Sequence, residues 1–207
     1  LRLPSKKLLV ATRNRGKLQE IREVMGDLPL AVVGFEEVGA DSPEVEETGE
    51  TYAENALLKA RAALAATGLA ALADDSGIEV DALGGAPGVR SARFAGPRAT
   101  DEDNNRLLLA RLAGVPAAQR TARFVCTAAL VLPAADPILT RGVVEGRIVE
   151  APRGGRGFGY DPLFYYEPLG LTFGEADAAA KNRASHRGQA FRAMAECVRA
   201  LLSDQES

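Results

Sequence analysis

The sequence predicts an α/β fold with some antiparallel strand pairing. Apolar runs of strand length, at 8–11, 69–73, 124–132 and 138–149, are interleaved with helix-length segments rather than grouped in a block. The 207 residues, 46% hydrophobic and 26% charged, are enough to build a core without disulfides or a structural metal. No internal repeat, low-complexity tract or long linker interrupts the chain, so residues 1–207 are expected to form a single domain with two lobes at most.

The elements follow in order. Residues 8–11 read as a short buried strand, residues 12–17 as a loop, and residues 18–25 as a helix closed by Gly26 and Pro29. Eight carboxylates and no Lys or Arg fall between 36 and 54. Thr51 and Glu54 have the spacing of a capping box, which opens an Ala/Leu-rich helix running to Gly68. A second apolar strand, 69–73, stops at Asp74-Asp75-Ser76-Gly77, with Ile78 and Val80 alternating beyond it. A Gly/Pro loop covers 83–88, and a helix spans 101–113 with Asp101 as its cap. Residues 124–132 and 138–149 are neighbouring strands, with Glu145-Gly146 a candidate turn or bulge. Residues 153–161 are Gly-rich, 162–166 are extended, and a final helix runs from Ser185 to about Leu202.

Composition narrows the partners. A net charge of -3 gives no general attraction to nucleic acid or to a membrane, so polyanion chemistry has to be local. Residues 1–7 are too short and mixed for a signal peptide, and no apolar run approaches the ~18 residues of a membrane span. Cys126 and Cys197 sit in apolar contexts with no metal-ligand or redox spacing. A cytoplasmic chain is the expectation. Only five of the 25 basic residues are lysines, and three of these, Lys17, Lys59 and Lys181, fall in motif-like segments beside the single histidine, His186. In an Arg-rich chain these lysines suggest a need for compact ammonium groups.

Five segments admit a chemical reading beside a structural one. The loop Thr12–Lys17 is either an ordinary strand–helix turn or a phosphate cradle at a helix N-terminus. Asp74 and Asp75, at a strand end, are either an Asx turn or a pair of acids for Mg²⁺ and an attacking water. Asn55 and Lys59, four apart, share one helix face next to the acidic run. The Gly-flanked Phe158, with Asp161 following, suits either a stacking platform for a flat ring or a core plug. Lys181, Arg183, His186 and Arg187 put cations at a predicted helix start, where they oppose the macrodipole unless an anion binds.

Taken together these segments resemble the inosine triphosphate pyrophosphatase family, hydrolases of non-canonical purine nucleoside triphosphates. The resemblance is carried by ATRNRGK at 11–17, EETGETYAENALLK at 46–59, ADDSG at 73–77, LGGAPGVRSARF at 83–94, GFGYDPLF at 157–164 and KNRASHRG at 181–188. It implies an elongated mixed β-sheet flanked by helices, with two lobes and a nucleotide cleft between them. It also implies a homodimer, Mg²⁺ dependence, and hydrolysis of ITP, dITP and XTP to monophosphate and pyrophosphate, with no nucleic-acid polymer and no membrane involved.

Carried over by position, Thr12, Arg13, Asn14, Arg15, Gly16 and Lys17 would hold phosphate, with Asn55 and Lys59 beside them. Asp75 would be the catalytic acid–base or metal ligand, joined at the metal by Glu47 and Asp74, with Ser76 a substrate contact. Phe158, Gly159, Tyr160, Asp161, Lys181, His186 and Arg187 would enclose and read the base. Related Maf-like pyrophosphatases and a nucleotide sensor without turnover are the competing readings. The SHR helix start and the GFGYD loop speak against the first, and the acid–lysine set against the second.

Overall fold

The computed structural model describes residues 5–203; expectations for residues 1–4 lie outside them. Seven strands form one sheet in the order β2-β1-β3-β4-β5-β6-β7. They are β1 (Lys7–Val10), β2 (Ala31–Val33), β3 (Ala71–Val80), β4 (Thr121–Val131), β5 (Ile138–Ile148), β6 (Phe164–Tyr166) and β7 (Leu171–Thr172). The α-helices are α1 (Arg15–Met25), α2 (Tyr52–Thr67), α3 (Asp101–Arg111), α4 (Ala178–Ala184) and α5 (His186–Ser203). β1 is parallel to β2 and β3, whereas β6 is antiparallel to β5 and β7, so the sheet is mixed.

The chain divides into two compact units. The first takes the chain up to Asp75, Cys126–Gly142, and the chain from Arg187 onward. Alternate residues of its strands are buried on both sheet faces, as parallel strands covered by helices are. Leu8, Val10 and Leu72 pack with Ile21 and Met25 of α1 and with Phe191, Met194 and Val198 of α5. Leu9 and Ala71 pack with Phe35 and Ala63. This two-sided burial is why Leu8-Leu9-Val10 reads as a continuous apolar run.

The second unit takes Ser76–Val125 and Val143–His186. Its core joins Ile78, Val80, Phe124, Val144 and Ile148 to Leu108 of α3 and its C-cap Leu112, and to Phe164 and Phe173. The Phe124 and Phe164 ring centroids are 4.5 Å apart. Gly146 lies inside an unbroken β5 rather than at a turn. A Cβ there would come within 2.5 Å of the Tyr165 carbonyl, so the glycine lets β6 approach.

Four boundaries differ from the sequence expectation. α1 begins at Arg15, three residues early, because Asn14 caps it by accepting the Lys17 N–H. α3 is capped by Thr100, which forms a capping box with Asp103; Asp101 is its first helical residue. β3 does not stop at Asp74 but continues through Asp74, Asp75 and Ser76 to Val80. The final helix, expected from Ser185, starts one residue later at His186, and a short helix absent from the expectation, α4, precedes it across the extended Ser185 (φ -66°, ψ 154°). Lys181 and Arg183 therefore sit in the last turn of α4, where cations complement the dipole, and only His186 and Arg187 open a helix.

Candidate active site

The first unit contains a cavity of about 310 Å³, lined by Thr12, Arg13, Asn14, Lys17, Glu47, Lys59 and Asp74 among others. The strand–helix connection from β1 to α1 supplies one wall. Thr12 Oγ1 accepts the Asn14 N–H at 3.1 Å, and Asn14 Oδ1 accepts the Lys17 N–H at 3.1 Å. These bonds fix the first turn of α1 and set Lys17 one turn into the helix. Its ammonium reaches Asp74 Oδ2 at 3.0 Å. Arg13 lines the same cavity and donates to the Ser42 carbonyl at 2.7 Å. Arg15 and Gly16 are exposed; Arg15 pairs with Glu36 at 3.5 Å on the surface.

Asp74 and Asp75 are neighbours with opposite side-chain directions, as consecutive strand residues must be. Both are buried. Asp74 Oδ2 takes Lys17 and, at 3.5 Å, Arg187 Nε; the Arg187 guanidinium also gives a 2.6 Å bond to Glu20. Arg187 is buried, a condition that disfavours its charge, yet Asp74 and Glu20 outweigh that and hold it charged. Asp75 instead takes Lys59 at 3.2 Å and Asn55 Nδ2 at 3.2 Å, and Lys59 also bonds Glu47 at 2.9 Å.

Burial is the largest influence on Asp75. Together with the charge of Glu47 it pushes the carboxyl above the usual aspartate range, against the opposing pull of Lys59 and Asn55. For Lys59, burial opposes the charge, but Asp75, Asp74 and Glu47 prevail and raise its pKa.

Asn55 is held by Gly49, whose N–H donates to Asn55 Oδ1 at 2.8 Å. Gly49 is required there, since a Cβ would stand 2.7 Å from that oxygen. The capping box of Thr51 and Glu54 fixes the start of α2, and so the height of Asn55 and Lys59 on its face.

The second unit holds a separate cluster. Asp161 is buried and accepts both the Phe158 N–H at 2.8 Å and Lys181 Nζ at 2.6 Å. Lys181 lies over the Phe158 ring, 4.6 Å from its centroid. Gly157, at φ +77°, leaves room for this fold, because a Cβ there would stand 2.1 Å from Asp161 Oδ2. Asp161 thus shapes the loop from within. Tyr160 is buried, with its hydroxyl donating to the Ser91 carbonyl at 2.8 Å. Burial, with the nearby Asp101 charge, pushes that hydroxyl well above the usual tyrosine value. His186 is buried and stacks on Phe124, with centroids 4.7 Å apart and planes within 10°.

The predicted residues thus fall into two sets. Thr12, Arg13, Asn14, Lys17, Glu47, Asn55, Lys59, Asp74, Asp75 and Arg187 belong to the first unit, as do the outlying Arg15 and Gly16; Ser76, Phe158, Gly159, Tyr160, Asp161, Lys181 and His186 belong to the second. Arg187, expected beside the base, is buried and pairs with Asp74 and Glu20. Glu20 was missed; its signal was its place three residues after Lys17, on the same face of α1. The three carboxylates Glu47, Asp74 and Asp75 do not converge as a ready cage, and among the described residues no such metal cluster forms. Glu47 and Asp75 do share one lysine, and two hard oxygen donors of that kind suit Mg²⁺, which takes one or two carboxylates plus substrate phosphates.

Comparison with known proteins places the chain among relatives. A sequence model described as the Ham1 family matches residues 8–197. A protein of Symbiobacterium thermophilum named dITP/XTP pyrophosphatase is 53% identical over 98% of this chain and all of its own. One of the same name from Geobacter sulfurreducens is 51% identical over 89% of this chain and 92% of its own. Among solved structures, a HAM1 protein from Coxiella burnetii superposes with a TM-score of 0.84 at 41% identity, covering 94% of this chain and 98% of that one.

Proposed function

The chain belongs to the Ham1 family, and on that premise we propose that it is a Mg²⁺-dependent pyrophosphatase of ITP, dITP and XTP, releasing the monophosphate and pyrophosphate. The observation that carries the reading is the pairing of two buried aspartates with separate lysines that both line one cavity: Lys17 on Asp74, Lys59 on Asp75 and Glu47. Binding alone requires cations; the acids supply what turnover adds.

In this reading Lys17, Lys59, Thr12, Asn14 and Arg13 hold the triphosphate and neutralise it. Asp75, whose carboxyl already binds its proton more tightly than usual, accepts the proton of the water attacking the α-phosphorus. Pyrophosphate leaves with the bridging oxygen. Asn55 fixes which Asp75 oxygen faces its neighbours. Glu47 and Asp75, with Asp74 nearby, would hold Mg²⁺, which when bound would supply charge neutralisation and polarisation of the reacting groups. The base is assigned to the second unit's cluster, with Phe158 as the stacking surface and Lys181 as its cation. A purine 6-oxo group accepts a hydrogen bond that adenine's 6-amino group cannot accept, and pairing of that kind discriminates by ~10⁴ or more.

The same proposal makes the enzyme a cytoplasmic homodimer that works on free nucleotides as one domain over 1–207, with neither a nucleic-acid polymer nor a membrane as partner. Its net charge of -3 provides no general attraction to either. The test is pyrophosphate release from ITP, XTP, GTP and ATP with Mg²⁺ and after chelation, beside Asp75→Asn. Release from ITP and XTP alone, abolished by chelation and in the variant, supports the reading. Orthophosphate release, or tight binding without turnover, refutes it.

A further inference from the structure

The loop that carries Phe158 and Asp161 is gripped by one helix. Asp101, the first residue of α3, accepts the Gly159 N–H at 2.6 Å, and Asn105, one turn on, donates through Nδ2 to the Gly159 carbonyl at 3.0 Å. Both polar backbone groups of a single residue, itself at φ +63°, are thus held by two side chains four apart on one helix face.

The grip is anchored in turn. The capping box of Thr100 and Asp103 fixes where α3 begins. Asn104, buried next to Asn105, accepts the Ala95 N–H at 2.8 Å and donates to the Ala92 carbonyl at 3.2 Å. Just before that segment lies Ser91, whose carbonyl accepts the Tyr160 hydroxyl. Asn105 carries a cost as well: its Oδ1 is buried and has no hydrogen-bond donor among the described residues. A leucine of similar size would fill the same space without an unsatisfied acceptor. Residues that break a local rule in this way gather at functional sites.

We infer that Asp101 and Asn105 are positioning residues for base recognition. By pinning Gly159 from both sides they fix the Phe158 ring before it and the Asp161 carboxylate after it, and so set the affinity for the base without touching substrate. The inference rests on the assignment of residues 157–161 to the purine and names what holds them there.

The experiment uses the full chain with Asp101→Ala, Asp101→Asn and Asn105→Leu, and Phe158→Ala as reference. It measures steady-state kinetics on ITP, inhibition by IMP, inhibition by pyrophosphate, and thermal melting. Asp101→Ala and Asn105→Leu should raise KM for ITP and Ki for IMP by roughly five- to tenfold, leaving kcat and pyrophosphate inhibition close to wild type. Asp101→Asn, which keeps an acceptor for the Gly159 N–H, should restore both constants. Asn105→Leu should melt no lower than wild type, which a purely structural asparagine would not allow. If Phe158→Ala weakens ITP and IMP while the α3 variants do not, the positioning role falls alone. If Phe158→Ala has no effect either, the base assignment falls and takes the positioning role with it. Equal loss of IMP and pyrophosphate inhibition, or no rescue by Asp101→Asn, also overturns the inference.

Discussion

Asp74 and Asp75 share a strand and a degree of burial, yet different cations hold them, and their substitutions should differ accordingly. Burial raises the Asp75 pKa in the folded protein above its unfolded value of about 3.9. A carboxyl in that position binds its proton more tightly when folded, so ionised Asp75 costs stability at neutral pH. The cost is relieved as the pH falls through the raised native value towards the unfolded one. Asp75→Asn, a mimic of the protonated form, should therefore melt higher than wild type at pH 7.5 without divalent cations while losing turnover. The gap should close as the pH falls towards 4, and melts across that range would show a constant gap if the sign were wrong. Arg187→Ala presents the opposite case. It removes a buried cation from Glu20 and leaves Asp74 with Lys17, and breaking buried pairs costs about 3–5 kcal/mol. We expect a large loss of stability and of kcat, with the ITP-to-ATP preference unchanged. A selective collapse of that preference would return Arg187 to the base.

At the scale of elements, legibility followed the range of the forces involved. The capping box at Thr51 and Glu54 could be read because its partners lie three residues apart, and α2 begins where it predicts. The passage of β3 through Asp74 and Asp75 could not. Period-2 reasoning scores a carboxylate pair as a strand end, and the cations that make burial tolerable come from α1, α2 and α5, distant in sequence. The start of α5 beside Ser185 was legible, whereas the short α4 before it was not, because seven residues carry too little periodicity to declare an apolar face. Gly49 shows how one loop residue reaches the site through an element. Gly49→Ala would place a methyl 2.7 Å from Asn55 Oδ1, displacing the side chain that orients Asp75. Misplacement of about 1 Å near a reacting group costs up to ~10²-fold, so kcat should fall at least tenfold by that measure, with the α2 helix intact by circular dichroism. Unchanged kcat would separate Asn55 from the chemistry.

For the molecule as a whole, six ordered motifs allowed the mixed sheet and two lobes to be anticipated, but not which residues fall to which of the two compact units. That distribution depends on long-range packing, which leaves no periodic trace in the sequence. The chain passes between the units inside β3, β4 and β5, and once more at the start of α5. Neither unit therefore contains those three strands entire, although each has its own buried cluster. Strands shared in this way should make unfolding a single cooperative event. Calorimetry should return a van't Hoff enthalpy equal to the calorimetric one. Phe191→Ala in the first unit and Phe164→Ala in the second each remove a fully buried ring, at a cost of about 3–5 kcal/mol. Each should lower the one transition without splitting it. A second transition appearing in either variant would mean that the units unfold independently, and that the single-domain reading of residues 1–207 is wrong.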